Sequence, residues 1–115
     1  MTDIKSLTKK LIAFRNARDW EQFHKPKDLA VSLVLEATEV LEHFQWKSEK
    51  EVQEYVKKHK DEIGEELADV FNWIIILAHD LNVDILEASV RKIEINGKKY
   101  PIEKSKGRAT KYTKL

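Results

Sequence analysis

Residues 61–78 read DEIGEELADVFNWIIILA, and their spacing decides the fold. Glu62, Glu66, Asp69 and Trp73 follow one another at intervals of four, three and four residues. At about 3.6 residues per turn these side chains form one stripe along a helix. Ile63, Leu67, Val70, Phe71, Ile74 and Leu77 occupy the other side. Carboxylates at i, i+3 among apolar neighbours run against the rule that acids avoid cores. Residues 33–44, LVLEATEVLEHF, repeat the arrangement with Glu36 and Glu39. Two helices, each presenting a carboxylate pair, point to one shared site for a divalent cation.

Working outward, Thr2 or Asp3 caps a first helix reaching about Arg18, with Ile4, Leu7, Leu11, Ile12 and Phe14 at helical spacing. Residues 19–27, DWEQFHKPK, interrupt it, and Pro26 disfavours helix at Lys25. Asp28 is then expected to cap a second helix over about 29–45. Ser48 and Glu51 have the spacing of a capping box, opening a polar helix over 49–59 that either continues into the 61–81 helix or bends near 60–61. Asp84 caps a fourth helix, expected over 85–96 with a stop at Asn96-Gly97. The predicted fold is all-α, a four- to five-helix bundle over residues 1–100, followed by a basic tail over 101–115 that orders on a substrate or partner.

Segment 70–78, VFNWIIILA, is apolar nearly all round, whereas a surface helix of a small bundle shows a polar face. A chain of 115 residues has little material to cover both sides, so a homo-oligomer, dimer or tetramer, is expected. The chain contains no Cys, hence no disulfide framework or thiolate metal site, in keeping with a cytoplasmic setting. No apolar run approaches the ~18–20 residues of a membrane span. The net charge of +1 hides an asymmetry: residues 91–115 carry nine Lys and Arg against two Glu, while the first ninety carry −6. Acid for a cation and base for an anion suit a metal-bound polyphosphate, although a solvated basic tail has the same composition. A nucleic-acid binder using that tail would associate in a steeply salt-dependent way. The near-neutral total argues against it.

A lone helical Glu is ordinarily exposed and solubilising. Four carboxylates facing one another within apolar sequence would repel, and a hard cation relieves the repulsion. Oxygen donors without Cys suit Mg²⁺, with Mn²⁺ as substitute. A di-iron bundle needs Glu-x-x-His on two helices, and only Glu21-x-x-His24 has that form, beside Pro26. The three isolated glycines, Gly64, Gly97 and Gly107, exclude a Gly-rich phosphate loop. No Ser-His-Asp or Cys-His constellation is evident, and phosphoryl-type chemistry needs positioning and charge neutralisation more than a protein nucleophile. Trp20 and Trp46 are able to stack a base, core packing being their ordinary role. For Trp73, among Ile and Leu, core or interface is expected.

Glu36-x-x-Glu39, Glu65-Glu66-x-x-Asp69-Val70 and Lys92-x-x-x-Asn96-x-x-Lys99-Tyr100-Pro101 together resemble the MazG-like nucleoside triphosphate pyrophosphohydrolases, most of all the dCTP pyrophosphatase branch. RDWEQFH at 18–24, LEHFQWK at 41–47 and the terminal KYTKL strengthen the likeness, which spans nearly the whole chain. The resemblance implies a Mg²⁺-dependent, house-cleaning hydrolase that cuts a (d)NTP between its α- and β-phosphates, with dCTP or a modified pyrimidine analogue favoured. It implies Glu36, Glu39, Glu66 and Asp69 as metal ligands, and Glu36, Glu39 or Glu65 as the group orienting the attacking water. Trp20 and Trp46 match nucleobase-pocket positions, Asn96 a polar binding position, and Lys92, Lys99 and Tyr100 the C-terminal positions that contact phosphate or substrate. The dCTP-preferring members carry a base-reading His on the first helix where this chain has Leu11. His24, in the loop, is not an obvious replacement but joins the candidate substrate-binding residues. The alternative reading is a non-catalytic helical oligomer that binds nucleotides or a protein partner through a degenerate site.

Overall fold

A computed structural model describes residues 2–115. Its elements are α1 (Ile4–Ala17), a 3₁₀ turn (Glu21–Phe23), α2 (Pro26–Glu42), α3 (Glu49–Asp80), α4 (Ile85–Lys99), a single-turn α5 (Ile102–Ser105) and a closing 3₁₀ turn (Tyr112–Lys114). No strand occurs among the described residues, so the all-α expectation holds. The chain divides into two compact units, one ending at Asn82 and the other Val83–Leu115.

In the first unit α1 and α2 both lie against α3. Leu29, near the start of α2, is buried together with Ile75, Ile76 and Ala78, near the end of α3. His43, just past the end of α2, meets Tyr55 in the first half of α3, while Glu36 meets Trp73 further along, so the two helices run antiparallel. Each such Leu or Ile contributes ~1.5–3 kcal/mol by leaving water. Arg15, from the end of α1, is the buried charged residue at this level.

The caps explain where the helices begin. Asp3 accepts from the Ser6 N–H at 2.8 Å, and the Ser6 side chain closes a capping box. Ser48 and Glu51 form the second box, as their spacing predicted. Asp84 caps α4 by accepting from the Glu87 N–H at 3.1 Å.

Two boundaries differ from the sequence reading. α2 starts at Pro26, not after Asp28, because proline at the first helical position gives up an N–H that would lack a partner there anyway. α4 passes through Asn96-Gly97 to Lys99, since one glycine costs only ~1 kcal/mol in a helix interior. The 49–59 and 61–81 segments form one continuous helical stretch of 32 residues, kinked at His59 (φ −122°, ψ 23°), next to the 60–61 position where a bend was the alternative. The basic tail, expected to order on a partner, contains α5 and the final turn, and Tyr112 packs edge-on to Tyr100 at 5.9 Å. Among the described residues no helix is long and apolar enough to cross a membrane.

Candidate metal centre and aromatic cleft

Glu36 and Glu39 sit three residues apart on α2, and Glu66 and Asp69 three apart on α3. Because the two helices pack antiparallel, both pairs reach the same level. One carboxylate oxygen from each of Glu36, Glu39 and Glu66 lies within 4.8 Å of the others, close enough for all three to ligate one cation. The Oε2 atoms of Glu36 and Glu66 are buried without a hydrogen-bond partner. Buried polar atoms are ordinarily paired, so these two require a counterpart.

The electrostatics agree. Contact with the Glu39 carboxyl, together with burial and the charges of Glu39, Asp69 and Glu36, pushes Glu66 up to about 7. Burial, Glu39 and Asp69 likewise raise Glu36, opposed by a polar contact from Trp73. Crowded carboxylates that retain protons lose them readily to a divalent cation. Asp69 stands outside the three-residue group yet acts on both Glu36 and Glu66. Glu65 is exposed and not part of the cluster. Glu62, the first member of the stripe, turns to His59 at 3.1 Å.

Beside the cluster opens a cleft of about 420 Å³. Glu36 and Asp69 form its acidic side, and Leu11, Phe14, Trp20, His24 and Trp73 its apolar side. Phe14 meets Trp20 edge-on at 5.9 Å, and His24 meets Trp73 edge-on at 5.4 Å. Burial, and then the Arg15 charge, lowers the His24 pKa, so its imidazole is neutral near pH 7. The His24 Nδ1 is buried without a partner.

The structure thus gathers Glu36, Asp69, Trp20 and His24 around one cavity, with Glu39 and Glu66 at its edge. Glu21-x-x-His24, weighed as half of a di-iron motif, falls instead on the 3₁₀ turn and its exit. Trp46, expected in the nucleobase pocket, is not among the residues of this cleft; it is 92% exposed, at φ +70°, where α2 ends. Lys92, Asn96, Lys99 and Tyr100 belong to the second unit. There the first three share a face of α4, and the Lys99 ammonium sits 5.0 Å from the Tyr112 ring.

Several cleft residues were not singled out from sequence. Trp73, assigned to core or interface, lines the cleft instead, and its place in the Glu62–Glu66–Asp69 stripe was the available signal. Lys10 and Asn72 line it too, and nothing in their local sequence marked them. Arg15, also at the cleft, donates from Nη1 to Asp80 Oδ2 at 2.7 Å and from Nη2 to Asp80 Oδ1 at 3.0 Å.

Fold and site together define an all-α chain whose paired helices carry converging carboxylates beside an aromatic cleft. Residues 31–115 match the MazG-like family, and the chain belongs to that family. It is 42% identical over 104 residues to dCTP pyrophosphatase 1 of Mus musculus and 38% identical over the same length to that of Homo sapiens. Those alignments cover 89% of this chain, which spans 61% of the length of either relative. The crystal structure of a pyrophosphatase from Archaeoglobus fulgidus superimposes with a TM-score of 0.83 at 39% identity, over 88% of this chain and 94% of that one.

Proposed function

We propose that this protein is a nucleotide pyrophosphohydrolase, cleaving a (d)NTP to its monophosphate and pyrophosphate, with dCTP or a modified pyrimidine analogue as the favoured substrate. The observation that carries the proposal is the convergence of Glu36, Glu39 and Glu66 within 4.8 Å, two of them with buried, unpartnered oxygens, beside an aromatic cleft. Relatives named dCTP pyrophosphatase 1 support the same reading.

The donor set is all carboxylate and suits a hard cation such as Mg²⁺ or Mn²⁺. Glu36, Glu39, Glu66 and Asp69 would hold it. When bound, such an ion neutralises phosphate charge and lowers the pKa of a water. The chain's own residues do the rest. Trp20 and Trp73 take the base, with Leu11 part of the same cleft. Glu36 or Glu39 accepts the proton of the attacking water, whose oxygen joins phosphorus as the α–β bridging oxygen departs. Glu65, away from the cluster, is the weaker candidate for that role. Lys10, at the cleft, offers positive charge to the phosphates.

A homo-oligomer accompanies this reading. Val31, Val34, Leu35 and Leu41 on α2 and Leu67 and Phe71 on α3 are all at least 43% exposed. Large apolar side chains exposed in this number on two neighbouring helices support an interface between copies of the chain.

The test is a panel of deoxynucleoside triphosphates, including 5-methyl-dCTP, incubated with Mg²⁺ and assayed for pyrophosphate. Release from a cytosine nucleotide, abolished by Glu39→Gln and by Asp69→Asn in folded protein, is expected. No release from any nucleotide would leave the non-catalytic binding role. Full activity in both variants would overturn the site.

A further inference from the structure

The Arg15–Asp80 pair belongs to neither the carboxylate cluster nor the aromatic surface, yet it connects the elements that build the cleft. Arg15 reaches Asp80, the last residue of α3, through two hydrogen bonds, and the two side chains are 3% and 20% exposed. On its own side it governs a tight reversal. The Arg15 carbonyl accepts the Trp20 N–H at 3.1 Å, while Asp19, between them, adopts a left-handed φ of +52°. The Trp20 ring then rests edge-on to Phe14, the residue before Arg15, and 5.8 Å from the Arg18 guanidinium. Glu21, opening the 3₁₀ turn that leads to His24, lies 3.9 Å from the Arg15 Nη2.

Two features speak against a mere contribution to stability. A buried ion pair is often no better for stability than apolar residues of equal volume, because desolvation offsets the attraction. What a bidentate guanidinium–carboxylate contact adds is direction. Arg15 borders the cleft, but its side chain is only 3% exposed and both Nη atoms are committed to Asp80. It therefore acts through what it holds.

We infer that Arg15, clamped by Asp80, is a positioning residue for the aromatic wall of the cleft: it fixes Trp20 relative to the end of α3 and so sets affinity for the nucleobase without touching substrate or cation. This rests on the proposed function, in which the cleft takes a base.

The experiment uses the full chain with Asp80→Asn, with Arg15→Lys, and with the apolar pair Arg15→Met/Asp80→Leu. KM and kcat are measured for dCTP with Mg²⁺. Binding of dCMP is followed separately by quenching of tryptophan fluorescence, and each variant is melted. Each should raise KM and the dCMP Kd by about tenfold while kcat changes by less than about twofold, the apolar pair melting close to wild type. In a Trp20→Ala background the same changes should move KM by less than about twofold, because both act through one side chain. Variants that melt lower but bind dCMP like wild type would overturn the inference and leave the pair structural. Full additivity with Trp20→Ala would overturn it as well. Wild-type protein that neither binds dCMP nor releases pyrophosphate would instead sink the proposed function itself, and the inference with it.

Discussion

Glu39 on α2 and Glu66 on α3 bring carboxylate oxygens within 4.8 Å of one another, and this contact, with burial, pushes the Glu66 pKa up to about 7. Its folded pKa is raised, so the stability this group contributes is fully present below the unfolded value of ~4.3 and is lost as pH rises through about 7. A bound cation replaces the proton. Mg²⁺ or Mn²⁺ should therefore raise the melting temperature more at pH 8 than at pH 6, with proton release on binding at the lower pH. Calorimetry in buffers of differing ionisation enthalpy checks this; equal shifts at both pH values would contradict it.

Trp73 carries the face of the cleft that the sequence had assigned to the core. Base stacking on an aromatic side chain is worth ~1–3 kcal/mol, so Trp73→Ala should raise the KM for dCTP roughly tenfold or more, with a smaller effect on kcat. Steady-state kinetics of that variant decide the matter. An unchanged KM would return Trp73 to a packing role.

Val34 and Leu35 project from α2 at 63% and 60% exposure. A charge placed in an apolar interface is strongly unfavourable, so if the proposed homo-oligomer uses this face, Leu35→Lys should yield a monomer without unfolding the chain. Sedimentation of wild type and variant, with circular dichroism as the fold control, provides the test. A wild-type monomer would refute the interface.

Ser48 accepts from the Glu51 N–H at 3.2 Å and starts a helix of 32 residues. Ser48→Ala should cost about 1 kcal/mol in chemical denaturation and leave nucleotide affinity unchanged.

The parts of this molecule set by local spacing were readable in its sequence. Glu36-x-x-Glu39 and Glu66-x-x-Asp69 are helical intervals, and Ser48-x-x-Glu51 is a cap, so the acidic stripes and the start of α3 followed directly. Pro26 and Gly97 misled because each residue has two uses. Proline forbids helix behind it but suits a helix start, and glycine both stops helices and survives inside them. Trp73 and Arg15 depend on tertiary approach. That Arg15 would meet Asp80, 65 residues away, or that Trp73 would face His24, leaves no periodic trace in the chain. Trp46 shows the converse: its motif suggested a base contact, yet in the folded chain it stands almost wholly in solvent.

Direct titration of Mn²⁺ into the full chain at pH 8, by calorimetry and by the electron paramagnetic resonance of the free ion, bears most closely on the carboxylate site. Saturable binding by the wild type, weakened at least about tenfold in Glu66→Gln and in Glu36→Gln while both variants stay folded, is the predicted result. Wild-type protein that binds no Mn²⁺ even with dCMP present, or variants that bind as tightly as wild type, would contradict it.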